Sequence, residues 1–457
     1  MTLKDGLKGL EEYVFQSMSD SSMVGLSILT LQDDEVTYQR GIGFKDFDEG
    51  TSATTRTTYC IGSVTKSFTS LAVMKLQEDG LLSLDDPIER YLPFKTRPMG
   101  EQILIKHLLS HSSGLSALGY AEATLSAVAN TNDQWFPIAS PSDLILFMNG
   151  AENWAIDKPG RRYGYLNEGY ILLGKIIEKV SGLPYEDYVA ERILRPLGMT
   201  RSTFKEAEVE LDDDVAVPYV TVEGVKKKTR YPYGQMIADG GLMSNAVDMS
   251  RFVRMLLSGG MLDGYRVASR ETVKEMMTPK VETSEEPFPG ASRHYYGYGL
   301  RIKDQFFGHD VVYHSGSVFG SSGYMGMVPD TGVAVVILAN GGYWLEPMGE
   351  YALALMLDED PSEIFYTKRT RTLDSLTGNY RMFRDTSMYE VTRSGGVLNL
   401  TTSFFRRNYT IPLIPVDIDG EPKRFKVYGV ESVTPVEFIL RHGERYMVYE
   451  RNLAKKE

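Results

Sequence analysis

Cysteine, long apolar runs and an apolar leader are absent or nearly absent from this 457-residue sequence. Its single cysteine, Cys60, excludes an intrachain disulfide and argues against an oxidising compartment. The longest near-candidate for a membrane span, residues 333–339, has only the length of a strand. Residues 1–8 carry charges where a signal peptide needs an apolar core. These absences predict a cytoplasmic protein.

Acidic residues outnumber basic ones, and histidine is scarce. Lys and Arg number 49 against 61 Asp and Glu, which gives a net charge of -12. This acidic balance argues against nucleic acid and anionic membranes as partners. None of the six histidines has convincing metal-ligand spacing, so we expect no metal and no cofactor. Sparse Asn and Gln beside plentiful Glu, Lys and Arg hint at a thermophilic source.

One stretch, residues 59–74, carries the first sign of chemistry. Gly62 allows a sharp turn and helical periodicity follows, which places Ser63 at or just inside the start of a buried helix. Lys66 lies one turn further on, where its amine could take the serine proton. Helix-start N–H groups would then face a developing oxyanion. The alternative is an N-cap serine followed by a solvated lysine, because roughly one or two Ser-x-x-Lys should occur by chance here. A Cys60 nucleophile competes with Ser63, although Cys60 is better explained as a small core residue.

Two further segments add candidate residues. Tyr165 and Asn167 lie two positions apart before a predicted helix at 171–180, so in an extended stretch both point to one side. A tyrosine held near an ammonium can pass protons as a phenolate, although one of 28 tyrosines packed under a loop is the simpler explanation. His314 lies in the first of three antiparallel strands, where Ser317 could supply an oxyanion N–H to an extended substrate. A histidine on a strand is more often structural.

The remaining sequence predicts elements around these residues. They are a helix at 3–18, a hairpin of strands 24–31 and 36–40, a glycine turn at 239–244 before a helix at 248–257, and a strand at 296–300. Residues 116–160, including Trp135, are expected to run over the site and to shape a substrate pocket or to be packed surface. His111, in a loop between serines, is expected to be structural.

Together these motifs resemble those of the serine β-lactamase and penicillin-binding-protein superfamily, in its class C-like branch of D-aminopeptidases and esterases. The matching motifs are Ser63-x-x-Lys66, Tyr165-x-Asn167, His314-x-Gly316, residues 108–115 and residues 240–242. The resemblance covers roughly residues 1–355. It implies an α+β fold, with an antiparallel sheet flanked by helices and an all-helical subdomain beside it.

The resemblance also implies roles for individual residues. Ser63 is expected to be the nucleophile, and Lys66 and Tyr165 the acid/base pair. Asn167 would contact a substrate amide and the lysine, while the N–H groups of Ser63 and Ser317 would form the oxyanion hole. Many relatives carry Lys where this chain has His314 in the third motif. That departure weakens a carboxypeptidase or β-lactamase assignment, because a histidine is usually neutral at pH 7.

Beyond a composition break at 358–363 the pattern changes to short strands. Seven strands are predicted, at 378–381, 388–392, 397–401, 409–414, 425–428, 436–440 and 446–449. Their regular spacing predicts a small antiparallel barrel, which resembles the lipocalin-like domain of some hydrolases of this branch. We therefore expect a catalytic domain at 1–360 and a barrel at 371–457.

The whole chain resembles archaeal self-compartmentalising serine peptidases, octamers with a preference for D-amino acids. The resemblance implies a homo-oligomer held together through the barrel, with an octamer as its expected form. The leading hypothesis is a serine hydrolase that cleaves small peptides as an aminopeptidase, with D-residue preference left open. The alternatives are an esterase of short acyl chains and a scaffold or peptide-binding protein without turnover.

Overall fold

The computed structural model describes residues 3–120, 123, 140–222, 224–231, 234, 237–283, 291–404 and 407–457. The chain folds into two compact units, Met1–Glu359 and Asp360–Glu457. Residues 361–370, which the sequence left between domains, lie in the second unit. Trp135 lies with residues 121, 122 and 124–139 of the excursion predicted at 116–160, and these fall outside the described residues. Among the described residues, no helix combines the length and apolarity needed to cross a bilayer.

The helices of the first unit include one that is largely buried. In the described residues they are α1 Leu3–Ser21, α2 Thr65–Glu78, α3 Ile105–Leu109, α4 Pro141–Met148, α5 Asn167–Ser181, α6 Tyr185–Val189, α7 Glu206–Glu210, α8 Ala246–Leu257, α9 Arg270–Met276 and α10 Glu346–Met356. Helix α2 packs against α5, α6 and α9, and it is buried from Thr65 to Met74. This burial excludes water from the side chains that α2 presents.

Where the structure describes the first unit, its strands form one large antiparallel sheet and three small pairs. They are β1 Gly25–Gln32, β2 Glu35–Asp46, β3 Thr51–Ser52, β4 Tyr59–Cys60, β5 Tyr219–Val222, β6 Val225–Lys228, β7 Met243–Ser244, β8 Met261–Leu262, β9 Tyr265–Arg266, β10 Val281–Glu282, β11 His294–Tyr296, β12 Arg301–Phe306, β13 His309–Val318, β14 Ser321–Val328 and β15 Val333–Ala339. The nine-stranded sheet has the order β10-β11-β12-β13-β14-β15-β1-β2-β3. Strand β15 is buried along its length, and both α8 and α10 pack on it. The predicted antiparallel sheet flanked by helices is confirmed.

The strand predicted at 296–300 is wrong in its bounds, because the chain turns there. Strand β11 ends at Tyr296 and β12 begins at Arg301, with the N–H of Gly297 donating to the Leu300 carbonyl. Gly299 has a left-handed backbone (φ +71°), and a Cβ there would lie 2.3 Å from Ser70 Oγ on α2. Aromatic residues between glycines imitate a strand in sequence, but here the glycines let a turn approach the central helix.

The second unit is a closed barrel preceded by a helix, α11 Phe365–Leu376. Its strands are β16 Gly378–Met382, β17 Met388–Ser394, β18 Val397–Phe404, β19 Arg407–Asp417, β20 Lys423–Tyr428, β21 Val433–Arg441, β22 Glu444–Tyr449 and β23 Asn452–Lys456. The predicted barrel is confirmed, but the prediction of seven strands was wrong. Strand β23 was missed because its sequence is short and mostly polar, yet it closes the barrel by pairing with β16.

Side chains fill the interior of this barrel. Alternate residues of the strands point inward, as in β17, where Tyr389 and Val391 are buried between exposed neighbours. Phe425 and Phe438 meet edge to face at 5.4 Å between ring centroids. Leu373 and Leu376 of α11 belong to the same apolar core, so this helix folds with the barrel. A barrel of eight strands is narrow enough for such filling.

Candidate active site

Ser63 lies in a short 3-10 turn, Gly62–Val64, immediately before α2. Strand β13 passes directly beside this turn. A Cβ on Gly62 would lie 2.7 Å from Ser317 N, and one on Gly316 would lie 2.7 Å from Ser63 N. Both glycines are therefore required for the close approach, which brings the N–H groups of Ser63 and Ser317 to the same corner. Ser63 is partly exposed and Ser317 is exposed, so this corner faces solvent.

Lys66 is fully buried one turn above Ser63. Its Nζ donates to Ser63 Oγ at 2.9 Å, to Asn167 Oδ1 at 2.8 Å and to the backbone carbonyl of Asp239 at 2.6 Å. Three acceptors satisfy the three N–H donors of an ammonium. If the ammonium loses a proton, two of these bonds still fix the amine while its lone pair faces the serine hydroxyl. The geometry thus suits both a charged and a neutral lysine.

Tyr165 lies beside Lys66, in the segment that leads into α5. The lysine Nζ is 4.9 Å from the centroid of the tyrosine ring, within cation–π range. Asn167, two residues later, is the first residue of α5. The structure therefore brings together Ser63, Lys66, Tyr165 and Asn167.

His111 holds this tyrosine segment in place. Its Nδ1 accepts the backbone N–H of Leu166 at 3.0 Å, and its ring centroid lies 4.1 Å from that of Tyr165. Because Nδ1 accepts, Nε2 must carry the hydrogen of the neutral ring. Complete burial lowers the pKa of His111 well below its usual value, and the charge of Lys66 adds to the effect. His111 is thus a neutral support for the backbone between Tyr165 and Asn167.

His314 is buried on β13 and is neutral for the same physical reason. Burial lowers the pKa of its imidazole well below the usual value, assisted by the charges of Arg301 and Lys66. Nδ1 lies 2.7 Å from the carbonyl oxygen of Ser315, so Nδ1 carries the hydrogen. Nε2 then accepts from the hydroxyl of Tyr296 at 2.9 Å. His314 therefore brings no positive charge to the third motif.

Two residues at this site were missed in the sequence. Arg301 donates to the hydroxyl of Tyr163 at 3.2 Å, and its guanidinium centre lies 5.7 Å from the Tyr165 ring. Asp239 is fully buried, and its backbone carbonyl is the third acceptor of Lys66. The sequence analysis placed Asp239 in a glycine turn but gave neither residue a role, because a tertiary contact of that turn and a sheet register bring them here.

Cys60 is buried in the core beside the turn, as the sequence suggested. Its thiol donates to the carbonyl of Gly240 at 3.4 Å. Burial raises the pKa of the thiol to about 12, so it stays protonated and is a poor nucleophile. In the described part of the chain, no group of three His, Cys, Asp or Glu side chains is placed to hold a metal ion.

A cavity of about 890 Å³ adjoins the exposed Ser317. Its wall includes the aromatic side chains of Phe319, Tyr343 and Trp344, together with Met23. Lys226 is the one charged side chain among the described lining residues. A mainly apolar space next to Ser317 suits a substrate side chain.

Comparison with known proteins agrees with this geometry. Residues 10–357 match the family described as Beta-lactamase. The chain belongs to the beta-lactamase family. Members of this family are serine hydrolases, and the resemblance inferred from the three motifs is confirmed at that level. Residues 361–454 match a second family, the Pab87 octamerisation domain.

Individual known proteins resemble this chain to different extents. The octameric penicillin-binding protein homologue from Pyrococcus abyssi has a TM-score of 0.91 and 38% identity, and the match covers 98% of this chain and 100% of that chain. Protein flp from Staphylococcus aureus (strain MW2) is 26% identical over 382 residues, 82% of this chain and 70% of its own length. A D-stereospecific amidohydrolase from Streptomyces sp. has a TM-score of 0.58 and 24% identity over 74% of this chain and 96% of that chain, a likeness of fold alone.

Proposed function

We propose that this protein forms an acyl-enzyme on Ser63 and hydrolyses small peptides from their amino end. The observation that carries the proposal is the contact of a buried Lys66 amine with Ser63 Oγ at 2.9 Å. The serine hydroxyl would add to the substrate carbonyl, while its proton passes to Lys66 or Tyr165 and then to the leaving amine. Water would release the acyl group in the second half of the reaction.

The oxyanion of each tetrahedral intermediate would lie between the N–H groups of Ser63 and Ser317. Glycines at 62 and 316 support this placement, because they allow the turn and the strand to approach. The side chain of Asn167 would both orient Lys66 and meet the substrate amide, and its 2.8 Å contact with the lysine supports the first role.

A neutral third motif supports an aminopeptidase over a carboxypeptidase. A carboxypeptidase needs a cation to hold the terminal carboxylate, whereas His314 is uncharged and the Arg301 guanidinium already donates to the Tyr163 hydroxyl. A free amino group at the other end of the substrate needs no such cation. Preference for D-residues is part of the proposal and depends on the walls of the cavity next to Ser317.

We also propose that the chain assembles into a homo-oligomer, expected to be an octamer, through its second unit. The match of residues 361–454 to an octamerisation domain supports this, as does the likeness of nearly the whole chain to an octameric protein. Exposed apolar side chains on the barrel, including Phe383, Tyr428 and Val430, also support it.

The test of the reaction compares D- and L-residue anilides, each with a free or acetylated amino group. Turnover of free-amine substrates alone would support the aminopeptidase, and a higher rate for one enantiomer would give the stereochemical preference. Turnover of neither, with cleavage of an acetate ester that depends on Ser63, would replace the proposal with an esterase.

Ser63→Ala provides the blank, and Ser67→Ala on the same helix provides the matched control. Ser67 donates to the Gly299 carbonyl and lies outside the proposed machinery, so its variant should retain activity. A fluorophosphonate should add its mass to the wild type and to Ser67→Ala but not to Ser63→Ala. Labelling of Ser63→Ala at the wild-type rate would contradict the nucleophile assignment.

A further inference from the structure

Asp239 is a buried carboxylate without an obvious structural partner. Its side chain is fully buried, and neither carboxylate oxygen meets a hydrogen-bond donor of another described residue. The backbone at this point is fixed along α2, because Thr69 Oγ1 donates to the Ala238 carbonyl at 2.6 Å and Lys66 Nζ to the Asp239 carbonyl at 2.6 Å. An unpaired carboxylate in such a place is costly unless an opposite charge offsets it.

The neighbours of Asp239 include one cation. Lys66 on α2 acts on the carboxyl electrostatically, and so does the buried carboxyl of Glu168 on α5. Glu168 is already held by the N–H groups of Leu118 and Tyr120, both at 3.3 Å. The other titratable groups that interact electrostatically with Asp239 are Cys60 on β4 and Tyr185 on α6. Burial raises the pKa of both groups, so they are neutral at pH 7.

We propose that Asp239 is a positioning residue that acts through Lys66, its carboxylate supplying the negative charge that keeps the lysine an ammonium in the resting enzyme. This inference rests on the proposed function of Lys66 as part of the acid/base pair. Ionised Asp239 favours the ammonium, whose three N–H bonds are those observed.

A raised pKa of the Asp239 carboxyl agrees with this geometry. Burial raises it to about 6, and the Lys66 ammonium opposes that rise. The carboxyl is therefore mainly ionised at neutral pH and takes up a proton in mildly acidic solution.

The test is the pH dependence of kcat/KM in Asp239→Asn, measured with a free-amine anilide on the full-length protein. Removing a negative charge beside Lys66 weakens proton binding by the acid/base pair. We therefore expect the acid limb of the profile to move to lower pH by about one unit or more, which is about tenfold in relative rate on that limb. A limb at the wild-type pH would overturn the proposal, whatever the rate at the optimum.

Asp248→Asn provides the matched control. Asp248 is also buried, but its carboxylate is bound by the N–H of Arg201 and the hydroxyl of Ser202. Its variant should keep the acid limb in place, and a shift as large as that of Asp239→Asn would overturn the proposal. If Asp239→Asn does not fold, Asp239→Ser removes the same charge with a smaller side chain and carries the same expectation. Failure of the proposed function is distinguishable, because turnover would then survive in Ser63→Ala.

Discussion

Lys66 donates to Ser63 across a single helical turn, with 2.9 Å between Nζ and Oγ. The same nitrogen is held by Asn167 on a second helix and by the Asp239 carbonyl on a turn. Three separate parts of the chain thus determine where one buried amine lies. A side chain fixed in this way loses little further conformational freedom when it transfers a proton.

Replacement of Lys66 by Ala should lower kcat/KM by about 10² to 10⁴, because the proton of Ser63 would lose its acceptor. Steady-state hydrolysis of a free-amine anilide measures the loss. Lys75→Ala on the same helix is the control, since the Lys75 ammonium binds the Val267 carbonyl away from Ser63. A loss below tenfold for Lys66→Ala, with the control fully active, would remove Lys66 from the acid/base pair.

Tyr165→Phe should lower the rate by a similar factor of about 10² to 10⁴, because only the hydroxyl is lost and the ring beside Lys66 remains. Rapid-mixing measurements of acylation and deacylation would show which half-reaction slows. Tyr163→Phe is the matched control, because its hydroxyl accepts from Arg301 in the same tyrosine cluster. If Tyr165→Phe hydrolyses the anilide as fast as Tyr163→Phe, Tyr165 contributes to packing and not to proton transfer.

The buried histidines predict acid sensitivity of folding. His111 and His314 stay neutral in the folded state because their pKa values are lowered, while in the unfolded chain they bind protons below about pH 6.5. The free energy of unfolding should therefore fall as pH falls below about 6.5, by about 1.4 kcal/mol per pH unit for each histidine. Urea unfolding at several pH values measures this slope.

His111→Asn should remove one histidine's share of that slope. Asparagine tolerates the left-handed backbone at this position (φ +54°) and keeps an acceptor for the Leu166 N–H. His442→Asn, at an exposed histidine with a similar backbone (φ +52°), should leave the slope unchanged. If both variants keep the wild-type slope, burial of His111 does not cause the acid sensitivity.

The order of the motifs was readable in the sequence because each is local. Ser63 and Lys66 share one helix, Tyr165 and Asn167 precede another, and His314 to Ser317 lie on one strand, so spacing alone predicts their neighbours. The contacts of Asp239 and Arg301 with the site were not readable in this way, although the glycine turn that contains Asp239 was predicted. They reach the site through the packing of that turn against α2 and through the register of β12 on β13, which are long-range contacts.

The errors in secondary structure have the same origin. At 296–300 the aromatic residues favour a strand, but contact with α2 favours a turn, and tertiary packing prevails over local propensity. Strand β23 has one buried side chain, Ala454, and forms because β16 and β22 both lack a partner on that side. Strand β23 therefore forms because the barrel must close, and no local sequence pattern could predict this.

The cavity next to Ser317 predicts selectivity for size. Phe319→Ala should lower kcat/KM by about tenfold for substrates with a bulky residue before the scissile bond, because apolar contact is lost. The loss for an alanine substrate should be small and should fall mainly on KM. Tyr265→Ala, an exposed aromatic residue outside the cavity, is the control. Equal losses for bulky and small substrates would place the substrate side chain elsewhere.

The barrel predicts assembly through its exposed apolar side chains. Tyr428 and Val433 are opposite each other in the β20–β21 hairpin, Val430 lies in the turn between them, and all three are exposed. Val430→Asp should lower the oligomer mass in light scattering, because burying a carboxylate at an interface is unfavourable. Hydrolysis of a small anilide should persist, since Ser63 and its partners all lie in the first unit.

Leu211→Asp provides the comparison for assembly, because Leu211 is a strongly exposed apolar residue of the first unit. It should leave the mass unchanged. If Val430→Asp also keeps the wild-type mass, the hairpin lies outside the interface. The same measurement on Phe383→Asp then tests the exposed apolar side chain that follows β16, the first strand of the barrel. A wild-type chain that is monomeric at micromolar concentration would contradict assembly through the second unit altogether.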